Sequence, residues 1–219
     1  NTCSGWGSSA GFYNSGVASG GTDVWTSYAT TSCTTTARLY CFEVDYSVAI
    51  VIEPAAGRRA FVSTAPGLPG SGVAAADALC NLEAADADLA GTFKALLCTS
   101  AASAMSRFDT SSTSEPWVRT DGVPLAATAA GLFTSTYLDA PIVTDAHGVI
   151  YVGGYGAFTG CDALDASTSS AHSCADWSTG ASTSQAIAGR TGFTNEWFVN
   201  LDYETGCDVT SNRVYCLEV

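Results

Sequence analysis

Nine cysteines are the residues of this sequence best suited to chemistry, and they are scattered along its length. None of them forms a CxxC pair, and the only histidines, His147 and His172, stand apart from each other, so closely spaced zinc ligands are not expected. Many scattered cysteines instead predict a disulfide framework and therefore an oxidising compartment. Because nine is odd, one thiol is unpaired, paired with another chain, or without its partner.

Two glycine-rich segments resemble catalytic motifs but lack the context that those motifs need. Residues 7–11 read Gly-Ser-Ser-Ala-Gly, the spacing of a hydrolase nucleophile, without a strand-turn-helix pattern or a nearby histidine. Residues 154–160 lack the glycine spacing and the helix of a dinucleotide-binding loop. We therefore predict no catalytic residue, no organic cofactor and no enzymatic activity.

Two sets of loop residues are candidates for binding. Carboxylate oxygens near cysteines suit calcium, although no EF-hand spacing is present; the candidate ligands are Asp162, Asp165 and Asp176. Aromatic side chains in predicted loops are candidates for a contact surface, namely Trp117, Tyr155 and Phe158. No other cofactor or metal is expected.

Charge and hydropathy exclude several classes of partner. The formal net charge is -13, from 21 acidic and 8 basic residues, which repels nucleic acid, heparin-like polyanions and anionic lipid. No run of eighteen apolar residues occurs, so no membrane span is predicted. The sequence shows neither an initiator Met nor a signal peptide, as we expect of a mature or excised product.

The chain repeats its own landmarks in order. A Cys-x-x-Trp segment begins at Cys3 and again at Cys174, and a second tryptophan and a second cysteine follow each. Both stretches end on nearly the same sequence, Arg38-Leu39-Tyr40-Cys41-Phe42-Glu43-Val44 and Arg213-Val214-Tyr215-Cys216-Leu217-Glu218-Val219. Intervals between successive landmarks agree within three residues. Residues 1–44 are therefore interpreted as the C-terminal part of one module, 45–58 as a linker strand, and 59–219 as a complete module.

The elements that must position these residues form a mixed α+β pattern. Alternation predicts a strand over residues 59–63, and helical spacing of Ala75, Leu79 and Leu82 predicts a helix over residues 74–87. Further strands are predicted over residues 48–52, 92–97, 149–152, 197–201 and 213–218, with a short helix over 125–133. Long Ser/Thr/Gly loops separate the last strands, which is typical of an α+β domain rich in irregular surface.

Residues 72–97, GVAAADALCNLEAADADLAGTFKALL, resemble the cysteine-bearing helix and following strand of endostatin-like domains. The segments at Cys174 and Tyr215 are similar to later parts of that domain. The resemblance is to bacterial endostatin-like proteins, including the leptospiral surface group, in the C-type-lectin-like superfamily. It covers residues 59–219, and residues 1–44 by repetition.

The resemblance implies an extracellular or cell-surface α+β domain held by disulfides. It implies the pairs Cys80–Cys216 and Cys174–Cys207, leaves Cys98–Cys161 as a third bridge absent from endostatin, and by repetition implies Cys3–Cys33. Cys41 would then lack its helix partner and be unpaired or intermolecular. The arginine cluster behind heparin affinity and the acid-Pro-Asn and Trp-Asn-Asp motifs of sugar-binding lectins are not present.

Two functions are compatible with these observations. The first is a non-catalytic surface adhesion module that binds a protein or glycan ligand through its variable loops. The second is a structural subunit of a tandem-repeat array or filament, completed by like subunits. The first is the leading hypothesis. Residues 1–44 favour the second, because part of a module cannot bury its apolar face alone, unless these residues are what remains of a longer array after cleavage.

Overall fold

The computed structural model describes residues 2–21, 24–45, 47–48, 53–151, 156–200 and 204–219. The chain divides into two compact units, Asn1–Glu53 and Pro54–Val219. The boundary between them lies inside the predicted linker of residues 45–58. Most of the apolar strand predicted for residues 48–52 lies outside the described residues.

The first unit contains a short helical turn and one antiparallel hairpin. The turn is α1 (Cys3–Trp6), and the hairpin joins β1 (Phe12–Ser15) to β2 (Ala29–Ser32). A disulfide between Cys3 and Cys33 ties the turn to the residue that follows β2. The buried apolar residues of this unit are few, namely Cys3, Tyr13 and Val24 among the described residues.

The second unit is a mixed sheet flanked by short helices. Its elements in chain order are β3 (Arg58–Val62), α2 (Val73–Asp86), β4 (Phe93–Ala95), β5 (Trp117–Arg119), β6 (Pro124–Ala126), α3 (Gly131–Thr134), β7 (Gly156–Phe158), α4 (Cys174–Trp177), β8 (Gln185–Arg190), β9 (Glu204–Gly206) and β10 (Arg213–Glu218). Single 3₁₀ turns lie at Met105–Arg107 and Ser170–His172. The α+β class predicted from the sequence is confirmed.

Strand β10, the last of the chain, lies at the centre of the sheet. The strand order is β6-β5-β3-β10-β7-β8-β9, and β4 also pairs with β10. Strand β3 is antiparallel to it on one edge, while β4 and β7 share the other edge. Val214 to Leu217 are buried as a continuous apolar run, which is typical of a strand covered on both faces.

The two faces of β10 belong to different halves of the core. Alternate side chains of a strand point to opposite faces, so Tyr215 and Leu217 join one cluster with Trp117 and Trp197. Val214 and Cys216 join the other cluster, which includes Cys80 of helix α2. Removing β10 would therefore expose both halves at once.

Four disulfides are present, and they join the pairs that the resemblance implied: Cys3–Cys33, Cys80–Cys216, Cys98–Cys161 and Cys174–Cys207. The Cys80–Cys216 bond spans 136 residues and fastens α2 to β10. Cys41 is free and exposed. The sulfur chemistry of the second unit is thus entirely structural.

Several predicted elements are confirmed with small shifts, namely the strands predicted for residues 59–63, 92–97 and 213–218 and the helix predicted for residues 74–87. The helix predicted over residues 125–133 is wrong in its first half. Residues 124–126 pair with β5 through a turn at Gly122, whose φ of 83° suits glycine, and only Gly131–Thr134 is helical. Tertiary strand pairing outweighs the local helical preference of the alanines.

Two predicted strands near the end of the chain did not form among the described residues. Residues 197–200 are irregular, because the chain there passes so close to β8 that a Cβ on Gly189 would overlap the carbonyl group of Trp197. Of residues 149–151, only Ile150 makes a bridge, to Thr144. Trp197 and Phe198 pack in the core, whereas Val149 and Ile150 are exposed.

Candidate functional site

The two cysteine-tryptophan segments share an uncommon backbone. Residues Cys3–Trp6 have φ values of 49°, 55°, 68° and 66°, and Cys174–Trp177 have 53°, 51°, 55° and 66°. A left-handed turn of this length is costly for residues other than glycine. Each turn closes with a 2.7 Å backbone hydrogen bond, from Trp6 N–H to Thr2 and from Trp177 N–H to Ser173. The repeat seen in the sequence is therefore also a repeat of structure.

The hairpins that follow these turns match as well. Strands β1 and β2 correspond to β8 and β9, and the disulfides that close the two segments span 30 and 33 residues. In each hairpin one glycine is required by a close approach, because a Cβ on Gly16 or Gly189 would overlap the carbonyl of Trp25 or Trp197 respectively. The described residues between Thr2 and Cys33 thus reproduce the turn, hairpin and disulfide found between Ser173 and Cys207 of the second unit.

The correspondence continues into the segment that matches β10. In the second unit the rings of Trp197 and Tyr215 are 5.8 Å apart at 62°. In the first unit the rings of Trp25 and Tyr40 are 5.6 Å apart at 65°. Tyr40 therefore packs on Trp25 as Tyr215 packs on Trp197, although no described strand pairs with the segment of Tyr40.

The two copies of this segment, residues 38–44 and 213–219, differ in how far their side chains are buried. We call Arg38–Val44 the unpaired segment, because within the part of the chain that the structure describes no strand pairs with it. Leu39 and Phe42 are 78% and 72% exposed, whereas Val214 and Leu217, their counterparts, are 2% and 0% exposed. An apolar surface of this kind marks an interaction site on a folded protein.

The tryptophans of the two copies differ in the same way. Trp177 and Trp197 are buried, and the indole N–H of Trp177 donates a 2.8 Å hydrogen bond to the carbonyl of Cys98. Trp6 and Trp25 are exposed. The repeated tryptophans are thus core residues in the second unit and surface residues in the first.

Cys41, at the centre of the unpaired segment, carries a free thiol. Its counterpart Cys216 is buried and bonded to Cys80 of helix α2. Cys41 has no disulfide and its side chain is exposed. A thiol in this position is open to an oxidant and to a second thiol.

Glu43 is the acidic residue of the unpaired segment, and its counterpart Glu218 shows the contacts that such a carboxylate makes in the second unit. Two hydrogen bonds from the Arg59 guanidinium to Glu218, of 2.8 and 2.7 Å, and a third from the Arg59 backbone N–H hold that carboxylate. Partial burial raises the pKa of Glu218, but these bonds and the charge of Arg59 outweigh it, so the pKa lies below its ordinary value.

We expect Glu218→Gln to remove part of the acid sensitivity of the protein. The folded-state pKa of Glu218 is lowered. The ion pair between Glu218 and Arg59 therefore stabilises the fold fully above the ordinary glutamate pKa of about 4.3. That stabilisation is lost as the pH falls through the lowered pKa of the folded state. In urea unfolding, Glu218→Gln should lower the free energy of unfolding by about 1 kcal/mol at pH 7 and leave it unchanged near pH 2. The control is Glu115→Gln, in the more exposed pair with Arg58, where the pH 7 cost should be smaller. An equal cost at both pH values would contradict this assignment.

Trp117 and Phe158, expected to form a contact surface, are instead buried, so that expectation is wrong for both. Neither has measurable exposure. The Trp117 indole donates a 2.9 Å hydrogen bond to the Ala129 carbonyl, and Phe158 packs edge-on against Trp177. Long-range strand pairing places both in the core, because they lie in β5 and β7. Tyr155 lies outside the described residues.

The aspartates considered for calcium do not form a common site. Asp162 accepts a 2.6 Å hydrogen bond from Thr168 and lies 3.2 Å from the His172 ring, while Asp176 accepts bonds of 2.7 and 2.6 Å from Ser100. Asp165 is exposed. Among the described residues no group of three or more His, Cys, Asp or Glu side chains is placed to hold a metal ion. Asp162 and Asp176 hold loop residues in place through these hydrogen bonds.

A cavity of about 300 Å³ lies between the loop of residues 65–72, helix α2 and Trp177. Its described lining consists of aliphatic, proline, glycine and serine residues and the Trp177 ring, without a charged side chain. Specific ligand sites combine apolar walls with a few convergent polar groups.

The residues that the sequence analysis missed are the neighbours of Cys41. Cys41 was singled out there as unpaired or intermolecular, but Leu39, Phe42 and Glu43 were not recognised as a surface. The signal was present, because the sequence contains two copies of the last strand and one copy of the helix cysteine that pairs with it.

A scan against protein-family models found no match to this chain, and a search of curated proteins found none either. None of the helices among the described residues is long and apolar enough to cross a membrane.

Proposed function

We propose that the protein is a non-catalytic structural subunit of an extracellular tandem-repeat array or filament, built from endostatin-like modules of the C-type-lectin-like superfamily. In this proposal the exposed apolar side chains of the unpaired segment contact a neighbouring subunit. The observation that carries it is the unpaired segment, whose seven residues repeat the central strand of the second unit while their apolar side chains are exposed.

The chemistry of the chain supports an assembly function outside the cell. Four disulfides in one chain require an oxidising compartment, and the same compartment lets an exposed thiol form an interchain bond. The acidic surface disfavours nucleic acid and anionic lipid as partners, which leaves proteins as the class that an apolar strand can bind.

Adhesion through variable loops receives less support. Two of the three aromatic residues expected at the contact surface, Trp117 and Phe158, belong to the core. Assembly is therefore the function that the geometry favours.

The test is electrophoresis of protein extracted from its native surface with an alkylating agent present. Because Cys41 is the one free thiol beside the four internal disulfides of the described cysteines, we expect one covalent species of higher mass, joined through Cys41, that is lost on reduction. The matched control is the chain with Cys41→Ser, which keeps its four internal disulfides and should give one band without reduction. A native protein that runs as a monomer with one titratable thiol per chain would contradict the proposal.

A further inference from the structure

The second unit contains a cavity that the proposed function does not use. It measures about 300 Å³ and lies between the loop of residues 65–72, helix α2 and the Trp177 ring. An apolar cavity of about 150 Å³ is already large enough to bind benzene. Protein interiors are otherwise close-packed, with few voids larger than a water molecule. A space of this size persists only where its walls are kept apart.

Hydrogen bonds hold the beginning of the loop at a fixed place on helix α2. The Glu83 carboxylate, on the helix, accepts bonds of 2.8 and 3.0 Å from the backbone N–H and the hydroxyl of Thr64. It also accepts a 2.8 Å bond from the backbone N–H of Ala65. Hydrogen bonds to a charged acceptor are stronger than those between neutral groups. The first wall is therefore anchored where the chain enters the loop.

The end of the loop is anchored to the left-handed turn that closes at Trp177. The backbone N–H groups of Gly70 and Gly72 each donate a 2.9 Å bond to the Trp177 carbonyl. Both glycines have positive φ, 106° and 79°, which residues with a side chain rarely adopt. Pro66 and Pro69 restrict the backbone between the two anchors. The loop thus has little freedom to collapse onto the helix, and the cavity is preformed.

Helix α2 and the tryptophan ring form the other walls. Ala75 and Ala76 line the cavity with single methyl groups, and Leu79 lies one turn further along the helix. The Trp177 ring is held by the 2.8 Å hydrogen bond from its N–H to the Cys98 carbonyl. Small side chains on walls that are fixed in this way leave the space between them unfilled.

The lining determines which kind of molecule the cavity suits. Of the described lining side chains only Trp177 and Ser71 carry a polar atom, and none is charged. The N–H groups of the Trp177 ring and of Gly70 and Gly72 already have acceptors. A charged or strongly polar molecule would lose most of its hydrogen bonds to water on entry without replacing them. The transfer of a neutral apolar molecule out of water is favourable.

We propose that this cavity binds a small neutral apolar molecule with about the bulk of one substituted aromatic ring. Leu68, Ser71 and Ala75 line the cavity and are also exposed, so a ligand can enter beside them without unfolding the protein. Because the walls are preformed, binding does not have to order the loop. All of the described lining lies in the second unit, so the inference is independent of the unpaired segment and of the proposed function.

Toluene is the test ligand, and benzoate, which adds a negative charge to a similar ring, is the matched control. We expect toluene to raise the Tm of the full chain, since a ligand that binds only the folded state stabilises it. It should also shift the methyl NMR signals of Leu79, Leu97 and Val214, which line the cavity. Benzoate should do neither. Unshifted methyl signals at saturating toluene, or equal binding of benzoate, would overturn the proposal.

Two alanine-to-leucine variants of helix α2 distinguish the cavity from the rest of the surface. Ala76→Leu enlarges a lining side chain and should weaken toluene binding about tenfold or more. Ala78→Leu makes the same change at an exposed residue outside the lining and should leave the affinity unchanged. Equal toluene affinities in the two variants contradict the proposal. If Ala76→Leu does not fold, the methyl signals of the parent protein decide the outcome.

An apolar side chain of a protein partner is the competing occupant, and N-acetyl-leucine amide is its probe. We expect this amide to bind more weakly than toluene, because its two peptide groups lose hydrogen bonds to water on entry. Tighter binding of the amide would overturn the proposal in favour of a protein partner. None of these results depends on Cys41, so failure here leaves the covalent assembly of the proposed function untouched, and a monomeric native protein leaves the cavity untouched.

Discussion

Replacing Cys80 and Cys216 together by alanine should lower the free energy of unfolding by about 4 to 5 kcal/mol. The bond joins residues separated by 136 positions, so it restrains the unfolded chain more than any of the other three disulfides. It also lies in the core, where both sulfurs are buried between α2 and β10. Urea unfolding followed by far-ultraviolet circular dichroism measures the change.

The matched control is Cys41→Ser, which removes an exposed thiol without a partner among the described residues. It should leave the free energy of unfolding within about 0.5 kcal/mol of the parent. If the double alanine variant lost less than about 1 kcal/mol, the link between α2 and β10 would not be the main covalent restraint on the fold.

Replacing Trp117 by alanine should lower the free energy of unfolding by about 3 to 5 kcal/mol. Its side chain is fully buried, packs edge-on against Phe108 and Phe133 at 6.2 and 6.0 Å, and donates a hydrogen bond to the Ala129 carbonyl. Alanine leaves a cavity and also leaves that carbonyl without its donor. Urea unfolding at pH 7 measures the loss.

Two further variants separate the parts of this effect. Trp117→Phe keeps most of the apolar contact but removes the donor, so its cost should be intermediate. Tyr137→Ala, at an exposed aromatic residue of the same unit, should change the free energy of unfolding by less than about 0.5 kcal/mol. A Trp117→Ala protein as stable as the parent would place Trp117 on a surface, as the sequence analysis expected.

Local patterns predicted the elements whose preferences agree with their surroundings. The spacing of Leu79 and its neighbours predicted helix α2, and the apolar run around Tyr215 predicted strand β10. The same patterns failed at Leu125, where pairing with β5 decided the conformation. Periodicity reports the local preference of a segment and carries no information about a strand that lies far along the chain.

At the candidate site, too, the sequence indicated some features and the tertiary structure decided others. The repeated cysteines and tryptophans indicated two related modules and one odd thiol, Cys41. They gave no sign that Trp117 and Phe158 are core residues, because those side chains are buried by elements distant in sequence. Aromatic residues between Ser- and Thr-rich stretches are compatible with a surface and with a core.

What the sequence by itself determined is the cysteine framework, the repeat and the α+β class, since these depend on residue type and spacing along one chain. Only the tertiary structure decided the burial of two segments with almost the same sequence. Residues Arg213–Glu218 form the central strand of a sheet, whereas Arg38–Val44 are exposed. The physical reason is that the burial of a segment depends on the elements that pack around it. Residues 58–158 bury the first segment, and no described residue does so for the second.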